Sequence, residues 1–76
     1  MNKCGMKRQH VDSSAMLSVG YNSKSHILEI EFPAHTIYDY LDVPEYKYVA
    51  LMNAESKGEY YNKSIKPFHP YKLVKK

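Results

Sequence analysis

The 76-residue sequence has no tryptophan, one cysteine and three glycines. A single thiol, Cys4, excludes an internal disulfide, so packing must supply the stability that staples give many small domains. A lone thiol also fits a reducing cytoplasm. No apolar stretch approaches the ~18 residues of a membrane-spanning helix. The opening "MNKCGMKRQH" has no apolar core for a signal peptide. Gly58 stands alone in "SKGEYY", which rules out a glycine-rich phosphate loop. His10, His26, His35 and His69 lie in four segments with no i, i+3 or i+4 pair, so metal-ligand spacing is missing too. Cys4 sits in a terminal segment that cannot hold a nucleophile against a base. Glu29 and Glu31 read as a solvated strand face, not as a paired acid and base. These absences point to a non-enzyme without metal or cofactor.

What the chain has is phenol and an uneven charge. Four of its eight tyrosines fall in "IYDYLDVPEYKY", residues 37–48. Lys3, Lys7 and Arg8 make residues 1–10 basic, with no acid among them. Residues 57–76 hold six lysines against Glu59. The middle holds two lysines, Lys24 and Lys47, against seven acids. Basic ends flank an acidic centre. Any polyanion should meet the ends, since lysine and arginine supply phosphate affinity; solubilising tails are the plainer explanation.

Along the chain, "SSAMLSVGY" (13–21) alternates, with Ala15, Leu17, Val19 and Tyr21 on one face. "HILEIEF" (26–32) alternates again, placing Leu28, Ile30 and Phe32 inward and Glu29 and Glu31 outward. "IYDYL" (37–41) is a third strand after the break at "PAHT". Short connections make an antiparallel meander. Asp42 with Glu45 has capping-box spacing for a helix striped by Tyr48, Val49, Leu51 and Met52. Ser56 and Glu59 repeat that spacing for a shorter helix with Tyr61, Ile65 and Phe68 on one side, stopped by Pro67 and Pro70. The expected fold is α+β: a three-stranded meander with one or two helices on one face (β-β-β-α-α). The expected organisation is a flexible basic tail at 1–10, one domain at 11–71 and a basic tail at 72–76.

The hairpin register decides where the tyrosines point. A four-residue loop sets Ile30 opposite Asp39 and buries a carboxylate. A loop of three or five residues puts Tyr38 and Tyr40 on the face of Leu28, Ile30 and Phe32, with Asp39 beside the glutamates. An unpaired buried carboxylate costs several kcal/mol, so the odd loop is expected and the tyrosines are largely core. Tyr48 is expected in the core and Tyr46 outside.

Taken in order, "VDSSAMLSVGYNSKSHILEIEF", "YDY", "VP" and "AESKGEYYNKSIK" resemble the KTSC domain over roughly Val11 to Tyr71. That family occurs at the C-terminus of some lysyl-tRNA synthetases and as short stand-alone bacterial and phage proteins. The resemblance places the family's Y-x-Y on Tyr38 and Tyr40, its serine pair on Ser13 and Ser14, and its S-x-G-x-[YF]-[YF]-N-x-x-I on Ser56, Gly58, Tyr60, Tyr61, Asn62 and Ile65. These motif residues read as mainly structural. The chain departs from the family at His35 and Thr36, where glycine is usual, and at Lys47, where an apolar residue is expected.

Two functions follow. Association with a synthetase and the basic C-terminal segment imply an RNA-binding module, with Lys57, Tyr60, Lys63, Lys66, Tyr71 and Lys72 as its contacts. Tyr60 is expected to be exposed beside Lys63. The alternative is a protein-interaction module, since a three-stranded sheet leaves two open edges.

Overall fold

Strands form within the alternating runs and helices after Pro44 and Ser56 in a computed structural model that describes residues 7–75. Five strands, β1 (Gln9–His10), β2 (Ser18–Asn22), β3 (Ile27–Phe32), β4 (Thr36–Tyr40) and β5 (Tyr71–Lys75), form one antiparallel sheet in chain order. Helix α1 (Glu45–Asn53) and helix α2 (Lys57–Tyr60) lie between β4 and β5. Helix α2 continues as a π-helical turn over Tyr61–Ile65, where the Lys66 amide donates to the Tyr61 carbonyl.

The α+β class and the central meander match expectation, and the sheet is larger than three strands. Both added strands lie in segments read as tails. "YKLVK" holds Tyr71 and Leu73 at alternate positions, but its lysines make the strand resemble a solvated end. Residues 1–6, with Cys4, and Lys76 lie outside the described residues.

The first long strand is shorter than expected. Residues 13–17 turn into the sheet, with the Ser13 hydroxyl accepting from the Ala15 amide. Met16, expected on the outer face, is therefore free of strand alternation and fully buried. Asp42 is not a helix cap. It has φ 57° and Pro44 takes the N-cap position, while the Val43 amide donates to His26 across the sheet end. Ser56 does cap α2, accepting from the Glu59 amide at 3.3 Å.

The core lies between the helices and the face carrying Val19, Leu28, Ile30 and Tyr40. Leu51 and Ile65 close it from the helical side. Val49 and Phe68, expected on the buried stripes, are exposed: Val49 lies two residues from buried Leu51 and so on the opposite side of α1, and Phe68 lies beyond the helical turn that ends at Ile65. Gly58 packs so closely on the entry turn that a Cβ there would lie 2.8 Å from that of Ala15. No substituent fits without movement.

The register is set by a three-residue turn, Pro33–His35, between the paired Phe32 and Thr36. Ile30 faces Tyr38 and Leu28 faces Tyr40, so the odd loop holds. Two successive left-handed residues, Ala34 (φ 69°) and His35 (φ 62°), do what glycine would do. Left-handed alanine costs about 1–2 kcal/mol. Ala34→Gly should therefore stabilise the protein by roughly 0.5–1 kcal/mol in urea denaturation, after glycine's greater unfolded-state entropy is subtracted. An unchanged or lower midpoint would contradict this reading of the turn.

Candidate nucleic-acid interface

Registry across the sheet places charges in rows on the face away from the helices. Gly20 faces Glu29, Glu29 faces Asp39, and Asp39 faces Lys72. Extending the Gln9–Val19 pair by one residue sets Arg8 opposite Gly20. Arg8 reaches across that glycine to Glu29 at 2.5 Å. The next row runs His10, Ser18, Glu31, Ile37 and Lys75. Ser18 accepts from Arg8 Nε and donates to Glu31, both at 2.9 Å. The basic ends of the sequence thus become the outer strands, and its acidic centre becomes the inner ones.

This corrects the picture of a solvated acidic face. Glu29 is only 4% exposed and lies beneath the arginine. Asp39 Oδ1 is buried with no hydrogen-bond partner among the described residues. Burial raises the Asp39 carboxyl to about 6, helped by the hydrogen bond its acid form makes to Glu29 and by the charge of Glu29. Lys72 and Arg8 pull the other way.

On the helix-facing side, five aromatic rings meet. Phe32, Tyr38, Tyr40, Tyr61 and Tyr71 have edge or tilted contacts with centroids 4.9–6.4 Å apart. The hydroxyls of Tyr40 and Tyr61 hydrogen-bond to each other in the interior and tie sheet to helix. Burial raises both phenols above their ordinary value. Tyr40 and Tyr38 are thus core or half-buried, as expected. Tyr48 is half-buried and stacks on Tyr21 at 5.0 Å, and Tyr46 is exposed.

The six expected contact residues separate into two groups. Tyr60 and Lys63 line one open cleft of about 340 Å³, but Glu55 and Glu59 line it too. Lys63 pairs with Glu59 at 3.6 Å, and Lys57 Nζ donates to the Ala54 carbonyl. Tyr60 is half-buried against the core, not exposed as expected, because its turn of α2 faces the sheet. Tyr71 and Lys72 instead lie on edge strand β5, with exposed Lys66 just beyond the π-helical turn.

Exposed apolar and basic residues lie along and just before that strand. Phe68 is 67% exposed, Tyr71 60% and Leu73 48%, with Lys75 at the far end. Lys47, the departure from an apolar residue, extends toward this edge. Its Nζ lies 4.7 Å above the Phe68 ring and donates to the Ser64 carbonyl at 2.8 Å and to His69 Nε2 at 3.0 Å. Burial and that ammonium lower the His69 value, consistent with a neutral imidazole accepting from lysine. His69 is therefore partly enclosed, while His10, His26 and His35 are at the surface. The periodicity of "YKLVK" was the available signal for the edge; nothing local marks Phe68 as exposed.

The motif residues gather elsewhere. Ser13, Ser14, Ser56 and Gly58 line a polar cleft of about 210 Å³ between the entry turn and α2. Asn62 is exposed outside it. No group of histidine, cysteine and carboxylate residues that could hold a metal occurs among the described residues.

Comparisons with known proteins agree with this architecture. The family model "KTSC domain" matches residues 12–69. An uncharacterised protein of Stutzerimonas stutzeri is 41% identical over 84% of this chain and 90% of its own length. A lysine–tRNA ligase of Nostoc punctiforme is 38% identical over 72% of this chain, a match that takes up only 10% of the ligase. The crystal structure of a KTSC domain protein from Yersinia pestis superposes with a TM-score of 0.88 at 38% identity, covering 93% of this chain and all of that one.

The carboxyl pair makes a stability prediction. Asp39 binds its proton more tightly folded than unfolded, so its contribution favours folding at low pH. That contribution is lost as pH rises from about 4 to about 6. Discounted for solvent screening at a partly exposed site, the loss is about 1 kcal/mol. Between pH 4.5 and pH 7, Asp39→Asn should gain about that much on the parent protein in urea titrations. Parallel pH profiles would show that the carboxyl is not strained in the folded state.

Proposed function

Because the chain belongs to the KTSC domain family, we propose that it is a non-enzymatic RNA-binding module whose contact surface is the β5 edge. The observation that carries this reading is the pairing of exposed rings with lysines there: Phe68 and Tyr71 among Lys47, Lys66, Lys72 and Lys75. Single-stranded nucleic acid is held by such pairs, with bases stacking on rings and phosphates meeting cations. The similarity of the domain to a segment of a lysine–tRNA ligase supports RNA as the ligand. Tyr71 and Leu73 stand on the helix-facing side of β5 and Lys72 and Lys75 on the outer side, so the RNA strand runs along the free edge between them, with bases toward the rings and phosphates toward the lysines. The Tyr60–Lys63 cleft is a poorer candidate, because Glu55 and Glu59 offset its lysine.

Fluorescence anisotropy with labelled single-stranded RNA and tRNA tests the reading. Binding should weaken as salt rises, with a log–log slope near −0.7 for each phosphate contacted. Reversing Lys72 and Lys75 to glutamate should cost tenfold or more. Tyr71→Ala should cost about 1–3 kcal/mol if a base stacks there. Reversing Lys57 and Lys63 should matter far less. Absence of binding at low salt would sink the RNA reading and turn attention to β5 as a protein-pairing edge, with its open row of backbone donors and acceptors.

A further inference from the structure

The row Arg8–Gly20–Glu29–Asp39–Lys72 joins the proposed RNA edge to a buried carboxyl pair. Asp39 stands directly between Glu29 on β3 and Lys72 on β5. Glu29 is already engaged by Arg8. Asp39 Oδ1 is buried and without a hydrogen-bond partner among the described residues, and the compensating charge on its other side is Lys72. Glu31, His10 and Lys75 belong to the neighbouring row, and both helices pack on the opposite face. Lys72 therefore has two possible counter-charges: Asp39 within the sheet and a phosphate outside it.

We propose that RNA binding at the β5 edge is linked to proton uptake: a phosphate that engages Lys72 withdraws its charge from Asp39, whose carboxylate then takes a proton from solvent and donates it to Glu29. This rests on the RNA reading of that edge. The balance is one proton gained from solvent and one new O–H···O contact, with no covalent change in the nucleic acid. Elementary electrostatics fixes the direction, since a nearby anion favours the neutral acid and a nearby cation disfavours it. Linkage then requires binding to tighten as pH falls through the range in which Asp39 titrates, and makes Asp39 a competitor for Lys72 at neutral pH.

Oligouridine is a suitable probe, because its base carries no group that titrates in mildly acidic solution. Calorimetry at pH 6.5 in two buffers of different ionisation enthalpy counts protons taken up; anisotropy from pH 5.5 to 7.5 gives affinity. The parent protein should take up a fraction of a proton and bind a few-fold more tightly at pH 5.5 than at 7.5. Asp39→Asn should lose that uptake and bind a few-fold more tightly than the parent at pH 7.5. If Asp39→Asn keeps the parent's pH slope, the linkage is overturned and the RNA reading stands. If neither protein binds oligouridine at low salt, both readings fall. A carboxyl NMR titration without RNA examines the Asp39–Lys72 coupling alone. Lys72→Gln should move the Asp39 midpoint upward, and an unmoved midpoint overturns the proposal whatever the binding data show.

Discussion

The turn at Pro33–His35 governs the rest of the structure. With three residues between Phe32 and Thr36, Tyr38 and Tyr40 join the core and Asp39 joins Glu29 on the far face. One residue more or less would exchange those faces, removing the Tyr40–Tyr61 link and burying Asp39 among apolar side chains. Two left-handed residues without glycine are an unfavourable way to make this turn. They persist because the alternatives each unmake a face of the sheet. The charged rows and the aromatic cluster are two results of the same count.

Charge distribution has a structural meaning that composition hides. Net charge of +3 suggests a mildly basic protein. In the sheet, however, acids occupy β3 and β4 and cations approach from β1 and β5. Arg8 pairs with Glu29 and Lys72 stands opposite Asp39, so some of the basic charge faces the acids of the inner strands. On the β5 side, exposed Lys66 and Lys75 accompany exposed rings.

Local signals carried much of the fold. Alternation in "HILEIEF" and the β-branched and aromatic run "IYDYL" mark two strands, and the cost of a buried carboxylate selects the odd loop. Ser56 capped its helix as its spacing implied. The misses were non-local. Met16 is buried because the chain bends before β2, which alternation cannot register. Asp42 looks like a cap but sits in a left-handed turn two residues before the N-cap. Strand β5 is held by partners far back in the sequence, so its own residues show only a lysine-rich end. The proposed edge was legible to the same degree: Tyr71 and Lys72 stand out in the sequence as an aromatic beside a lysine, whereas the exposure of Phe68 and Leu73 and the Arg8–Glu29–Asp39 row depend on which strands become neighbours.

The order of the strands also bears on how the protein assembles. The ladders β2–β3 and β3–β4 close across tight turns, whereas β4–β5 must wait for residues 41–70 to fold back as helices. Loop-closure entropy makes that last pairing the slowest and the most easily reopened. Among the described residues its outer side has no neighbouring strand, and its own residues are all exposed. Strand β5 is thus the natural place for the sheet to fray, and a ligand seated along it acts as a latch on the final step of folding.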